Sequence, residues 1–331
     1  MARVFGSSIK RREDPALITG KGKYTDDLHL PNTSYAAIIR SPYAHAHIDG
    51  IDTSKAVALE GVISVFTGAD IQKSGIPGVV PVGWLLPDMK TPPHPIIATE
   101  TVRYVGDAVA VVVAEDRYTA QDAMDLVQVE YSPLPAATNP QKTTEEGVSQ
   151  LHSEAPKNIA FEWEIGEQKE TEEKFVDASH TVSICIRNNR LLSHPIETRT
   201  ALADYNSSND QLTLWMTSQN PHVHRLLMSL ASLGLPEHKI RVIAPEVGGG
   251  FGSKIAHYPD EAIVSWCSMQ IDRPVKWTST RSESNLTDAH GRDHVTQAEL
   301  ALTDNGRILG LKVETYANMG AYLSTFAPAV P

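Results

Sequence analysis

The residues most suited to binding a ligand form the stretch PEVGGGFGSK, residues 245–254. Four of its ten residues are glycine, which reaches positive φ at little cost and lets the backbone approach a bound group. The stretch follows an apolar strand-like run at 239–244 and precedes a helix-like run at 258–271. Backbone N–H groups at a strand–loop–helix junction can bind an anionic ligand. The alternative is a tight turn with close packing.

This glycine-rich loop matches neither of the common nucleotide motifs. A P-loop requires Gly-Lys-Ser/Thr, and here Ser253 separates Gly252 from Lys254. A dinucleotide fingerprint requires an acidic residue on the following strand, and none is obvious. A phosphate- or nucleotide-binding module that uses the loop is nevertheless one alternative function.

Composition restricts the class of protein. The chain has 331 residues, of which 41% are hydrophobic, enough for about two domains, and a formal net charge of −11. The negative charge disfavours nucleic acid and anionic membranes as partners. There is no apolar run that could span a bilayer and no signal-peptide core, so we expect a cytoplasmic protein. Cys185 and Cys267 are too few for an iron–sulfur cluster or a cysteine-built zinc site, and we expect both to be buried thiols.

The first part of the chain, residues 1–135, is predicted to be a compact α+β domain that folds alone. The run AVAVVVA at 108–114 predicts a buried strand, followed by a helix at 116–126. Residues 35–40 and 44–51 are predicted to be paired strands. The polar, acidic segment 136–170 is predicted to be a linker or crossover.

The remaining residues, 171–331, are predicted to form an incomplete second domain. Helices are expected at 221–233 and 258–271, and strands at 176–187, 200–205, 211–217, 239–244, 275–278, 294–302 and 308–317. The last two strands form an extended hairpin. We expect Tyr316, Tyr322 and Phe326 to have no layer that covers them.

An ordered set of motifs carries a resemblance to a known family. The motifs are RREDPALITGKGKYTDD at 11–27, RSPYAHAHI at 40–48, TVRYVGDAVAVVVAED at 101–116, VQVEYSPLPA at 127–136, HPIETR at 194–199, TSQNPH at 217–222, VGGGFGSK at 247–254, RPVKW at 273–277 and DNGRILGLKV at 304–313. The chain resembles the large, molybdenum-cofactor-binding subunit of the xanthine oxidase, aldehyde oxidase and aerobic carbon monoxide dehydrogenase family. Ile255 replaces the Glu of purine-oxidising relatives, which favours the carbon monoxide dehydrogenase-like branch.

The resemblance implies an α+β fold. A hammerhead-like α/β domain would occupy residues 1–135, and the first part of a mixed α+β molybdopterin-binding domain would occupy 171–331. The cofactor would be molybdenum bound to molybdopterin, expected as the cytosine dinucleotide, with the metal held by the pterin sulfurs and by no protein side chain directly. The implied cofactor-binding residues are Gln219, Gly249, Gly250, Phe251, Gly252 and Lys254.

Each of these roles has an alternative. By resemblance, Phe251 and Gly252 lie against the pterin, and the catalytic role of Gln219 is to donate its amide to an oxygen ligand of the metal. Gln219 is otherwise a loop residue, and Lys254 either neutralises a phosphate or is a solvated lysine. Arg281 and Arg292 are further phosphate candidates. Glu197 and Arg199 are expected to form a structural ion pair, and His194 is expected to be structural.

The implied reaction is the hydroxylation of a small substrate with water as the oxygen source. Electrons would pass to a 2Fe-2S small subunit and an FAD medium subunit, with the large subunits at the centre of a dimer of heterotrimers. The substrate stays open among carbon monoxide, an aldehyde and an N-heterocycle. The family's general base, a Glu, lies beyond the part matched here, and so do about half of the residues that bind the cofactor. We therefore expect either the N-terminal piece of a split subunit, inactive without its complement, or a truncated, non-catalytic remnant.

Overall fold

The computed structural model describes residues 5–326 and residue 328. The strands are β1 Ser34–Arg40, β2 Ala46–Asp52, β3 Val62–Thr67, β4 Val79–Val80, β5 His94–Pro95, β6 Thr101–Val102, β7 Ala108–Ala114, β8 Gln128–Pro133, β9 His180–Asn188, β10 Thr200–Asn206, β11 Gln211–Met216, β12 Ile240–Ile243, β13 Val275–Thr278, β14 His294–Leu302 and β15 Ile308–Ala317. The α-helices are α1 Asp14–Ile18, α2 Ser54–Val57, α3 Gly68–Ser74, α4 Arg117–Leu126, α5 Gln168–Val176, α6 Pro221–Leu227, α7 Pro259–Ile271 and α8 Arg281–Thr287. Among the described residues, no helix is long and apolar enough to cross a membrane.

A seven-stranded mixed sheet forms the centre of the fold, in the order β12-β11-β10-β13-β1-β7-β3. Its strand β7 is buried at every residue, which explains why AVAVVVA lacks the alternation of a half-exposed strand. Small side chains at Ala37, Ala114 and Ala120 let α4 approach one face closely. On the other face, Trp266 of α7 packs edge-on against Phe66, with 4.9 Å between the ring centroids.

This sheet crosses the boundary that we predicted near residue 135. Strand β13 pairs in parallel with β1, so strands from both parts of the chain share one core. Residues 1–135 therefore do not pack as a closed unit, because α7 covers part of their sheet. The predicted pairing of 35–40 with 44–51 is also wrong, since β2 pairs with β6 and β8 in a separate sheet. The exact boundaries at 135 and 170 stay predictions.

The antiparallel sheet β15-β14-β9 projects from this core. Helix α5 packs against β15, although it begins in the acidic segment that we predicted to be a linker. Its sequence, QKETEEKFV, is polar except at its end, so apolar periodicity did not reveal it. Cys185 of β9 is exposed, which corrects the expectation of two buried thiols, whereas Cys267 is buried.

The segment after β15 folds back onto the first part of the chain. Tyr322 stacks on His94, with 4.0 Å between the ring centroids, and accepts a hydrogen bond of 3.2 Å from Arg103 Nη1. The main chain of Thr325 accepts from Gly83 N at 2.7 Å. The expectation that Tyr322 has no covering layer is therefore wrong. Other large apolar side chains do stay exposed, among them several on the three-stranded sheet.

Candidate functional site

The glycine-rich loop connects β12 to α7 and adopts an unusual backbone. Gly249 and Gly252 have φ of +98° and +96°, and Phe251 lies between them at +51°. Glycine is needed at 249 and 252 because a side chain there would be strained. The ring of Phe251 is 76% exposed, so the loop presents an aromatic face to its surroundings.

Gly250 is required for a different reason. Its φ is not positive, but a Cβ at this position would lie 2.3 Å from Gln219 Oε1 and 2.5 Å from Gln219 Cδ. Any residue with a Cβ at position 250 would clash with the Gln219 side chain, so only glycine lets the loop approach it this closely. The close approach expected at this glycine is made to a protein side chain.

Gln219 follows β11 and is bound to the loop by three hydrogen bonds. Its main-chain N–H donates to Lys254 O at 3.0 Å, and its Oε1 accepts from Gly252 N at 3.1 Å and Lys254 N at 3.2 Å. Because Oε1 accepts both amides, the side-chain NH₂ group points away from the loop. No acceptor for this NH₂ group lies within residues 5–326. The amide is thus a fixed hydrogen-bond donor with free capacity.

Three consecutive backbone amides at the tip of the loop are also free. Gly248 N donates to Glu197, and Ser253 N and Ile255 N donate to loop carbonyls. By contrast, the N–H groups at 249, 250 and 251 donate to no acceptor in the described part of the chain. Successive free amides on a loop with left-handed residues make a concave site of positive potential, which suits an anionic or carbonyl-bearing ligand.

Glu197 and Lys254 hold the base of the loop. Lys254 is fully buried, and its Nζ lies 2.9 Å from both Glu197 Oε2 and the Glu197 carbonyl oxygen. Glu197 Oε2 also accepts from Gly248 N at 2.7 Å. Burial lowers the pKa of the Lys254 ammonium, and the Glu197 carboxylate opposes that shift. Because Lys254 is engaged with Glu197, its proposed contact with a phosphate stays a prediction.

The expected ion pair between Glu197 and Arg199 is absent from the described structure. Arg199 instead bonds Asp260 and Asp288, each at 2.6 Å, with Glu261 at 3.4 Å. Residues two apart on a straight strand share a face, but the chain bends at 196 and 197, and the two side chains reach different partners. Sequence proximity favoured the wrong pairing.

The buried charges around Arg199 form a support beneath α7. Arg40 also bonds Asp260. Burial alone would raise the pKa of Asp260, but Arg40 and Arg199 hold it well below its usual range. Burial raises the pKa of Glu261 to about 7 despite the nearby Arg199. The network fixes the start of α7, which follows the loop directly.

A buried histidine, His224, connects Ser218, the residue before Gln219, to the residues after the loop. His224 Nδ1 lies 2.8 Å from Ser218 Oγ, and His224 Nε2 lies 2.9 Å from Ala256 O. The carbonyl requires a donor, so the neutral ring carries its proton on Nε2 and accepts from Ser218. Burial lowers the pKa of His224, which favours this neutral form. The sequence pattern did not reveal this role.

The remaining predicted side chains flank the loop. His194 is exposed, has φ of +51°, and places Nε2 2.6 Å from Asn285 Oδ1. Arg281 donates to the carbonyls of Pro195 and Ile196, both at 2.8 Å, so it braces that segment. Ile196, an apolar residue beside the loop, is 94% exposed, and the periodicity of the sequence gives no sign of this exposure. Arg292 has φ of +70° and no described contact with the loop.

Two family models match the chain. Residues 151–331 match the molybdopterin cofactor-binding domain, and residues 19–135 match the a/b hammerhead domain of aldehyde oxidase and xanthine dehydrogenase. The first match alone covers more than half of the chain. The chain therefore belongs to the molybdenum hydroxylase large-subunit family, a family of oxidoreductases that includes carbon monoxide dehydrogenase and xanthine dehydrogenase, and the resemblance is confirmed.

Curated and solved relatives agree with this assignment. The carbon monoxide dehydrogenase large chain of Afipia carboxidovorans is 38% identical over 330 residues, covering 96% of this chain and 40% of the relative. The structure of reconstituted carbon monoxide dehydrogenase from Oligotropha carboxidovorans superposes with a TM-score of 0.87 at 37% identity, covering 94% of this chain and 39% of that chain. These matches confirm the mixed α and β fold that we expected.

The relatives differ in how much of their length the chain spans. It spans about 40% of the carbon monoxide dehydrogenase large chain. It spans 73% of the nicotinate dehydrogenase large molybdopterin subunit of Eubacterium barkeri, at 28% identity and 99% coverage of this chain. Large subunits of different lengths thus share the part that is present here.

Proposed function

We propose that this chain is the N-terminal part of the large subunit of a molybdenum hydroxylase, and that it binds one side of a molybdenum–molybdopterin cofactor. The reaction is the oxidation of a small substrate, either carbon monoxide, an aldehyde or an N-heterocycle, with water as the source of oxygen. The chain acts together with the rest of such a subunit, which we call its complement.

The observation that carries this proposal is the convergence of free donors at one loop. The amides at 249, 250 and 251 and the NH₂ group of Gln219 are all unpaired within the described residues. A pterin carries ring carbonyl, ring nitrogen and phosphate acceptors, which are the groups that such donors bind. The residues present therefore fit the cofactor without supplying a side-chain ligand to its metal.

In the proposed reaction, this chain binds the cofactor and orients it. When bound, the molybdenum cofactor supplies the two-electron oxidation chemistry. The loop amides hold the pterin, and the exposed ring of Phe251 limits access of water on one side. Gln219 donates to an acceptor on the cofactor from a position fixed by Gly252 and Lys254. Fixed donors of this kind contribute to rate because they need no reorganisation during the reaction.

The proposal extends to partners that the chain itself does not contain. The cofactor is proposed as the cytosine dinucleotide form, and electrons pass to a 2Fe-2S small subunit and an FAD medium subunit. The assembly is proposed to be a cytoplasmic dimer of heterotrimers, and the general base is proposed to lie in the complement. We expect the isolated chain to have no hydroxylase activity for this reason.

The decisive experiment is elemental analysis of the chain purified with its complement. We expect about one molybdenum per chain and release of a cytosine nucleotide on acid hydrolysis. Gly250→Val should lower molybdenum content steeply, because its side chain meets Gln219. Gly291→Val is the matched control, since a Cβ at Gly291 meets no atom within 4 Å. Zinc or iron without molybdenum would contradict the proposal, as would protection of the chain from heat by a free nucleotide alone.

A further inference from the structure

The free NH₂ group of Gln219 belongs to a side chain that water can reach. Gln219 is exposed, and within the described residues its three hydrogen bonds go to Gly252 and Lys254. Hydrogen bonds at an exposed site compete with bonds to water, and a glutamine side chain loses rotamer freedom when it is fixed. A donor that keeps one direction at this position therefore needs further support.

Ser218, the residue before Gln219, gives this support from the buried side. Ser218 Oγ accepts a hydrogen bond of 3.0 Å from Asn220 N, which closes a tight turn around the main chain of Gln219. Ser218 is only 5% exposed, so this turn is shielded from water. The same oxygen lies 2.8 Å from His224 Nδ1. Because Oγ accepts from Asn220, its own proton is available for the ring nitrogen.

His224 extends the connection from this turn to the residues after the loop. Its Nε2 donates to Ala256 O at 2.9 Å. Ala256 lies two residues after Lys254, whose main chain binds Gln219. The turn is therefore joined to the loop at two places, once through Gln219 itself and once through the buried ring. We call the series Ser218–His224–Ala256 the histidine link. Two separate connections prevent a rotation of the turn that one connection would allow.

The histidine link requires a single protonation state of the imidazole. Nδ1 accepts from Ser218 and Nε2 donates to Ala256, and a neutral ring with its proton on Nε2 does both. A charged ring would carry a proton on each nitrogen, so the Ser218 hydroxyl would lose this acceptor. Burial lowers the pKa of His224 and thereby favours the neutral ring. The neighbouring His257, with 5.9 Å between ring centroids, is also buried, and burial lowers its pKa to about 3.

We propose that His224 is a positioning residue for Gln219, and that the histidine link fixes the direction in which the free NH₂ group points. The three members of the link are buried, so water does not compete for their hydrogen bonds, which are stronger in such surroundings. A donor that is fixed before the cofactor binds needs no reorganisation afterwards. This inference rests on the proposed function, because the direction of the NH₂ group matters only if that group meets the cofactor.

Amide hydrogen exchange of the full chain tests the histidine link without any cofactor. The exchange rates followed are those of Gln219 N and Lys254 N, whose hydrogen bonds join the turn to the loop. His224→Gln keeps a nitrogen three bonds from Cβ, where Nε2 lies, and so keeps the donor to Ala256 O. His224→Asn keeps an oxygen two bonds from Cβ, where Nδ1 lies, and so keeps the acceptor for Ser218. Each variant therefore removes one end of the link.

Both variants should raise exchange at the two amides roughly tenfold or more, because the turn opens locally at lower cost once either end is lost. The control His45→Gln replaces another buried histidine, which precedes β2 and has Nδ1 3.1 Å from Pro135 O, and should leave both rates unchanged. The amides of β7 report global unfolding and should stay protected in every variant. Unchanged exchange in either His224 variant, or an equal rise in His45→Gln, would overturn the proposal.

Ser218→Ala covers the case in which the His224 variants unfold. This substitution removes one oxygen and breaks the histidine link at its other end. We expect the same rise in exchange at Lys254 N. Continued protection of that amide would overturn the proposal.

A double variant distinguishes positioning of Gln219 from general support of the fold. The chain is purified with its complement, and the rate at which molybdenum is lost on incubation is measured. His224→Asn and Gln219→Ala should each raise that rate roughly three- to tenfold, as expected for the loss of one hydrogen bond to the cofactor. If His224 acts through Gln219, the double variant loses molybdenum no faster than Gln219→Ala alone. Multiplied effects would overturn the proposal.

The positioning role and the proposed function can fail separately. Faster exchange in the His224 variants, together with a complex that contains no molybdenum, would support the histidine link and contradict the proposed function. Unchanged exchange in these variants, together with a complex that does contain molybdenum, would do the reverse. Exchange is therefore measured on the chain without cofactor, and molybdenum on the complex.

Discussion

The contact between Gly250 and Gln219 gives the sharpest prediction. In Gly250→Ala, the new Cβ would lie 2.3, 2.5 and 2.8 Å from Oε1, Cδ and Cγ of Gln219. These atoms belong to the flexible end of one side chain, so we expect that side chain to swing away while the backbone stays in place. Its Oε1 then loses the hydrogen bonds from Gly252 N and Lys254 N.

The cost follows from those two hydrogen bonds. Each contributes about 0.5–1.5 kcal/mol, and solvent replaces part of it at this partly exposed site, so Gly250→Ala should lower the free energy of unfolding by about 1–2 kcal/mol. Gln219→Ala removes the same two bonds and should cost a similar amount. The double variant should cost no more than Gln219→Ala alone, because the three closest atoms to the new Cβ are then gone. Replacing glycine by alanine at compatible φ can even return about 0.4–1 kcal/mol.

Urea unfolding followed by the fluorescence of the five tryptophans measures this double-mutant cycle. We expect strong non-additivity, with a coupling energy close to the cost of Gly250→Ala itself. Gly291→Ala is the control and should leave stability nearly unchanged. In the assembled complex, Gly250→Ala and Gln219→Ala should each lower turnover by roughly ten- to a thousandfold. Additive costs in the cycle would refute the close contact between the loop and Gln219.

Three further predictions concern charge and thiol chemistry. Glu197→Gln should lower the free energy of unfolding by about 2–4 kcal/mol, since it leaves the buried Lys254 ammonium without its counter-ion. The control Glu237→Gln removes a partner from an exposed pair with Arg225 and should cost at most about 1 kcal/mol. Equal costs for the two variants would contradict the assigned role of Glu197. Burial raises the pKa of Asp107 to about 7, so its contribution to stability is full below pH 3.8 and is lost as pH rises through about 7. Asp107→Asn should therefore gain stability relative to the unaltered chain between these pH values, by up to about 1.4 kcal/mol per pH unit in urea titrations, and a constant difference would show that the carboxyl does not titrate there. A thiol reagent should modify Cys185 in the folded chain and reach Cys267 only on unfolding, because Cys267 is buried and burial raises its pKa; rapid reaction of both would contradict the packing of α7.

Local patterns were enough to predict most of the regular structure. The spacing of apolar residues predicted a strand at 275–278 and a helix at 258–271, and the structure has β13 at Val275–Thr278 and α7 at Pro259–Ile271. Helix α5 was missed because a mostly polar segment gives no amphipathic signal, and its helical state depends on packing against β15. Helix α8 was missed because it is short and its threonine cap is also typical of a turn.

The candidate site was predicted in part. The glycine content of 248–252 indicated a loop that needs positive φ, which holds at Gly249 and Gly252. Glycine is required at position 250 because the side chain of Gln219, a residue distant in sequence, lies against it. The glycine pattern in the sequence does not indicate which residue that neighbour is. The roles of the individual residues toward the cofactor stay predictions.

The sequence by itself determined the elements and the family, because strand and helix periods and ordered motifs are local properties of the chain. Which side chains meet was decided only by the tertiary structure. Glu197 pairs with Lys254, 57 residues away, and Arg199 pairs with Asp260 and Asp288, because the folded chain brings these partners, distant in sequence, next to the two side chains. In the same way, the apolar side chains of β9 look like core residues in the sequence, yet the structure leaves them exposed. Periodicity records which face of a strand is apolar, whereas only the tertiary contacts decide whether another layer covers that face.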